Sequence, residues 1–178
     1  RTVEATGEYI DEPYLARNRP GPDGVGSDLI QALRTEEGTV FFVDRGWVRV
    51  DGASADDRAV LATLPAAPDG TVTVTARLRA SEPEIPGRTS SGRTVASIEL
   101  PELADLLGVE GEAYTGAYGM LVSEDPEAEH GVLPPKPERD EGPHLSYALQ
   151  WYVFILIAAI GVAYAARQEY KNLNAGSD

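Results

Sequence analysis

The sequence predicts an α+β chain: a mostly antiparallel β domain, folded as a curved sheet or partial barrel with one or two short helices, followed by a C-terminal transmembrane helix. Three stretches carry that prediction. Thr71 to Ala80 (TVTVTARLRA) alternates apolar and polar residues throughout, Leu100, Leu103, Ala104 and Leu107 recur at helical spacing, and Leu145 to Ala166 holds no charged residue. Strict alternation marks a strand with one wet face, as antiparallel sheets usually have. The order of many strands, one helix and a further strand argues for an α+β domain.

Taken in order, Arg1 to Ile10 alternates with Val3, Ala5 and Tyr9 on one side, which predicts a half-buried strand in which Gly7 marks a bulge or a close backbone approach. Tyr14 to Arg17 is a second, short strand after Pro13, and Asn18 to Gly26 (NRPGPDGVG) reads as a loop of turn residues. Asp28 to Arg34 is a strand, and Thr35 to Gly38 (TEEG) is a hairpin turn. Thr39 to Val50 (TVFFVDRGWVRV) is the most apolar part of the domain and predicts a central buried strand, bulged or bent at Gly46. Asp51 to Gly70 reads as a loop with a short helix over Asp56 to Leu64.

In the Thr71 to Ala80 strand, Val72, Val74, Ala76 and Leu78 face inward. A turn-rich loop from Ser81 to Gly92 leads to a short strand over Thr94 to Ile98. Pro101 suits the first turn of the following helix and Gly108 the residue just past its end. Ala113 to Ser123 returns to strand, with Tyr114, Tyr118 and Met120 as candidates for packing. These elements place the β domain at 1–123, an acidic, proline-rich linker at 124–143, the membrane helix at 144–170 and a tail at 171–178.

The apolar run from His144 to Ala166 is long enough to cross a membrane, since about 22 residues at a rise of 1.5 Å extend roughly 33 Å. Tyr147, Trp151 and Tyr152 lie near its start and Tyr164 and Tyr170 near its end, the levels at which amphipathic rings settle. Ser146 and Gln150, four residues apart, form a polar pair suited to packing against another helix. Gly161 and Ala165 form a small-xxx-small pair that allows close approach.

Composition excludes several functions. The chain has 178 residues and a formal net charge of -14, a balance that repels phosphate backbones and excludes nucleic acid as a partner. It has no cysteine, and its two histidines, His130 and His144, exclude a multi-histidine metal site. No nucleophile motif accompanies either histidine, so the chain reads as a non-enzyme without a resident metal. His130, among Asp125, Glu127 and Glu129, is read as a solvated residue of the tether rather than a cation ligand.

Two groups of residues also resemble a known family. The first comprises Gly7-Glu8-Tyr9, Arg17-Asn18-Arg19, Gly24 to Gly26 and above all Val43-Asp44-Arg45-Gly46-Trp47-Val48. The second is His144-Leu145-Ser146-Tyr147-Ala148-Leu149-Gln150-Trp151, which opens the apolar run. Together they resemble the surfeit locus protein 1 family of cytochrome c oxidase assembly factors, in its bacterial form.

The resemblance implies an extracytoplasmic β domain between two membrane helices, both termini being cytoplasmic. The opening on Arg1 then marks where a first helix has been trimmed away. It also implies as partners the subunits of a haem-copper cytochrome c oxidase, alone or in a respiratory supercomplex, and membrane lipid. Haem a is the implied, transient cofactor. His144 is then the candidate axial ligand, beside Tyr147 and Trp151, or else an interfacial histidine that caps the helix or bonds a neighbouring subunit. Arg45 is read as one half of a structural ion pair. The implied function is oxidase assembly, extending to assistance with haem a insertion. The alternatives are a structural accessory subunit without haem handling and an extracytoplasmic sensor domain.

Overall fold

The computed structural model describes residues 1–50, 58–135 and 144–175. Two compact units divide the chain, Arg1–Pro135 and Lys136–Asp178.

The first unit is built on a six-stranded sheet: β1 (Thr2–Gly21), β2 (Gly24–Thr35), β3 (Val40–Val48), β4 (Thr71–Ala80), β5 (Thr94–Val95) and β6 (Ala117–Asp125). The hydrogen-bonded order is β2-β3-β6-β4-β1-β5, and β1 pairs with β2 as well, so the sheet curls back on itself. Four of its pairings are antiparallel. The β3–β6 seam is parallel and holds only the partners Val43↔Gly119 and Asp44↔Met120, so the curl is a partial barrel.

β1 departs from expectation. The two strands and the loop predicted between Arg1 and Gly26 are one strand of 20 residues and the opening of a hairpin, with Gly21 opposite Gly24. The turn residues that suggested breaks are absorbed as irregularities, at Ile10/Tyr14 and Arg17/Arg19, where Asp11 (φ 61°) and Asn18 (φ 60°) take left-handed backbone. Asp and Asn tolerate that conformation better than other residues with a side chain, so the strand bends without ending. Gly7 sits against the backbone of Arg34 and Thr35, a close approach in regular register.

β3 is buried along its whole length because its alternate side chains feed two clusters. Val40 and Phe42 pack with Ile30, Tyr118 and Leu103, whereas Phe41 and Val43 pack with Leu33, Val72, Val74 and Leu121. Removing each large side chain from water contributes about 1.5–3 kcal/mol, which makes β3 the natural centre of the sheet. β4 has the predicted bounds, with Val72, Val74 and Ala76 buried.

α1 (Arg58–Leu61) is a single turn, shorter than the helix expected over Asp56 to Leu64, part of which lies outside the described residues. α2 (Leu100–Leu107) has proline in its first turn and ends on Gly108, whose left-handed backbone (φ 71°, ψ 35°) spares a Cβ penalty. Its Leu100, Leu103 and Ala104 close one end of the core. In the stretch before β6, Tyr114 is half exposed, whereas Tyr118 is buried as expected.

The stretch 124–143, expected to be linker, is partly folded. Glu124 and Asp125 end β6, and the compact unit continues to Pro135 because Gly131 N–H donates to Arg45 O at 2.9 Å and Trp47 and Val132 exchange two backbone bonds. Residues 136–143 of that predicted linker lie outside the described residues.

The second unit contains α3 (His144–Ala175). Its Ser146–Asn172 segment has mean hydropathy 1.9 and no side chain buried, so by length and composition it can cross a membrane.

Candidate functional site

The Val43-Asp44-Arg45-Gly46-Trp47-Val48 segment puts two charged side chains inside the most apolar strand. β3 carries a bulge here: Ile30 faces Asp44 and Asp28 faces Trp47, leaving Arg45 and Gly46 opposite Leu29 alone. Gly46 adopts φ +103°, and a Cβ on it would stand 2.7 Å from the Gly131 backbone. The bulge sends Arg45 into the interior and aims Asp44 and Trp47 at a cleft on the other side. We expect Gly46→Ala to cost at least about 2 kcal/mol, from unfavourable φ and a backbone clash together. Urea midpoints check this; a loss near zero would mean that the bulge is not held as described.

Arg45 is fully buried, and its two terminal nitrogens find five acceptors, while its buried Nε has none among the described residues. It pairs with Glu124 Oε1 at 2.8 Å and donates to Glu129 O at 2.9 Å, Ala66 O at 3.2 Å, Pro65 O at 3.3 Å and Gln31 Oε1 at 3.4 Å. Its guanidinium lies 5.1 Å from the Tyr9 ring centre, and Tyr9 Oη donates to Glu124 Oε2 at 2.9 Å. Burial, followed by the adjacent Glu124 carboxylate, pushes the Tyr9 phenol far above its ordinary value, so it stays a donor. The ion pair expected of Arg45 is present, with a partner from the stretch read as linker. Its role is to tie β1, β2, β3, β6 and the 124–135 segment together.

The cleft has a volume of about 570 Å³. Asp28 and Asp44 line it with Arg19, Arg79, Trp47 and Met120. Trp47 is fixed by an Nε1–H bond to Arg19 O at 3.0 Å and lies flat on Gly21 and Gly26, where any Cβ would overlap the indole. Burial raises the Asp44 carboxyl to about 7, with the Asp28 charge adding to the effect and the Gly46 N–H, Arg19 and Arg79 opposing it. Burial likewise raises Asp28, against the pull of Arg19. Asp28 and Arg79 were not singled out from the sequence, and Asp44 entered only as a member of the Val43–Val48 motif, not as a site residue. The available signal was an Asp-Arg pair inside a run of apolar residues that has to be buried.

The residues predicted for cofactor binding and helix packing all lie on α3, away from this cleft in sequence. The His144 side chain lies outside the described residues. Tyr147 (59% exposed) and Trp151 (66%) are open, as are Ser146, Gln150 and Ala165. Trp151 meets Phe154 edge-on at 6.0 Å. Helical spacing aligns Ala148, Trp151 and Ile155 on one stripe. His130, exposed as expected, has Nδ1 2.7 Å from Gly131 O.

Comparison with known proteins covers both units. The model of the SURF1 family matches residues 1–156, from β1 through the first turns of α3. Uncharacterised SURF1-like proteins of Mycobacterium bovis and of two strains of Mycobacterium tuberculosis are each 36% identical over 176 residues. The matches cover 96% of this chain and 61% of each relative, so the chain spans about three fifths of their length. No solved structure matches it. With its sheet, its Arg-Gly-Trp bulge and the opening of its apolar helix all inside the matched region, the chain belongs to the SURF1 family, known generally as cytochrome oxidase assembly factors.

Proposed function

We propose that the chain is a membrane-anchored assembly factor of a haem-copper cytochrome c oxidase, its β domain extracytoplasmic, and that it assists insertion of haem a. The observation that carries this reading is the family match across residues 1–156, which joins the β domain to the His144–Trp151 helix opening. Haem a is cargo here rather than a resident group. α3 suits such cargo by its residue types: the small Ala148 and the exposed apolar Trp151 and Ile155 form a face that a porphyrin edge and its hydrocarbon tail can lie against. His144 supplies the imidazole, a ligand that haem iron accepts. The domain cleft has no imidazole, so the haem is assigned to the helix. One chain offers one such ligand; a second comes from an oxidase subunit or another copy.

The test is an absorption spectrum, with and without reductant, of the full-length protein purified from a host that makes haem a, beside His144→Ala. We expect a haem a band that the substitution removes and oxidase subunits that copurify with both forms. Unchanged haem a occupancy and oxidase assembly in His144→Ala would refute the ligand role. Subunits that copurify without haem in either form would leave a structural accessory subunit, and failure to track the oxidase would remove the assembly reading.

A further inference from the structure

With Asp44 ionised, the charged side chains lining the cleft beside the β3 bulge, together with Glu82 behind Arg19, leave one negative charge uncompensated. Asp44 is 6% exposed; its Oδ1 accepts the Gly46 N–H at 2.9 Å, and its Oδ2 has no hydrogen-bond or ion-pair partner among the described residues. Asp28 meets Arg19 Nε at 3.1 Å, a contact by distance that lacks hydrogen-bond geometry, and Arg19 is shared with Glu82 at 2.5 Å. The exposed Arg79 donates to Met120 Sδ at 3.8 Å and to no carboxylate among the described residues. Three carboxylates, Asp28, Asp44 and Glu82, therefore stand around two guanidiniums, Arg19 and Arg79. A buried carboxylate with a vacant oxygen gains from a cation that can reach it, because screening is weak there.

The walls say which cation fits. Pro22, Trp47, Met120, Leu133 and Pro134 make most of the cleft apolar, which suits a hydrocarbon stem leading to a charged head. Among the described residues no group of three His, Asp or Glu side chains is placed to hold a metal ion. We propose that the cleft binds an arginine or lysine side chain of a partner polypeptide, its cation on Asp44 and its stem along Trp47 and Met120. The inference does not depend on oxidase assembly; it identifies a partner by its basic residue, whichever complex that partner belongs to.

The test titrates N-acetyl-arginine amide and N-acetyl-lysine amide into the ¹⁵N-labelled full chain in detergent micelles. The Gly46 amide and the Trp47 indole N–H are followed, since each is hydrogen-bonded within the site. Both probes are expected to shift these resonances, and the neutral isostere N-acetyl-citrulline amide to bind at least about tenfold more weakly. Methylguanidinium should also bind more weakly, lacking the stem and amides. Asp44→Asn should cost the cationic probes at least about tenfold, while keeping an acceptor for Gly46.

A second measurement needs no variant. Lowering the pH from 8 to 5.5 should weaken binding by more than about tenfold as Asp44 gains its proton, with Asp28, Arg19, Arg79 and the Tyr118 phenol the charged and titratable groups facing it. Equal binding of the citrulline probe, or no effect of either Asp44→Asn or pH, would overturn the proposal. So would methylguanidinium binding as tightly as the capped arginine, which makes the site one for small cations. Binding seen only after Lys136→Ala would also overturn it, because the chain's own lysine would then be the occupant.

Discussion

Arg45→Met is expected to destabilise the protein by about 3–5 kcal/mol, because it leaves the Glu124 carboxylate buried without its cation. The Arg45 and Glu124 side chains are 0% and 1% exposed, so solvent cannot take over the missing charge. With total stabilities of about 5–15 kcal/mol typical of folded proteins, that loss is large enough to lower the folded yield in cells. The carbonyls of Pro65, Ala66 and Glu129 lose a donor in the same step, so the 124–135 segment should loosen with the core. Denaturant midpoints of the full chain in detergent, read by near-ultraviolet circular dichroism, give the cost. Hydrogen exchange at Gly131 and Val132 tests the loosening.

An apolar replacement should recover much of that loss only when the whole network is removed. Glu124→Leu added to Arg45→Met takes away the stranded charge but also the acceptor of Tyr9 Oη, so Tyr9→Phe has to accompany them. Buried ion pairs replaced as a set by apolar groups are often neutral in stability. A single Arg45→Met substitution costing less than about 1 kcal/mol would mean that water reaches Glu124, contrary to its burial.

The second large effect is on the pH dependence of stability. Asp44 has a folded-state pKa of about 7 against an ordinary 3.8. Between those values the folded chain holds a proton that the unfolded chain has released, so stability falls as pH rises through that window and levels off above it. At 1.36 kcal/mol per pKa unit the total is on the order of 4 kcal/mol, an upper bound because burial relaxes when a charge forms. Glu82 works in the opposite sense at the acid end. Despite its desolvation, hydrogen bonds from Arg19 and the Ile98 N–H lower its pKa, so its contribution is lost as pH falls.

Asp44→Asn should therefore match the wild type near pH 5, exceed it at pH 8 and show a flatter profile between. Urea midpoints at those two pH values decide the matter. A wild type equally stable at both, or an Asn variant that loses as much, would place water beside Asp44. If a basic side chain fills the cleft in a complex, the same group gains a cation there, and the pH dependence of the complex should shrink.

Much of the fold was legible because burial imposes a period. The alternation in Thr71–Ala80 gave β4 its bounds, the 3.6-residue recurrence with Pro101 and Gly108 gave α2, and the uncharged run gave α3. Where local chemistry and long-range pairing disagreed, the sequence misled. Turn residues at Pro13 and in Asn18–Gly26 suggested breaks, yet the register of β1 against β2 carries the strand through two bulges. Acidity and proline suggested a tether from Glu124 onward, yet backbone pairing with β3 holds that segment down to Pro135.

By itself the sequence determined the class of fold, the apolar helix and the family, each of which depends on patterns contained within a short stretch of chain. It even placed an aspartate and an arginine in a strand that had to be buried. Which groups surround them was decided only by tertiary structure. Glu124 reaches Arg45 across 79 positions, and Asp28, Arg19 and Arg79 reach Asp44 from three other strands. Side chains of β3 point to opposite faces, and one bulge at Gly46 sets which charge is neutralised inside and which waits in the cleft. No local pattern encodes that choice, because the bulge acquires its meaning from the strands on either side of it.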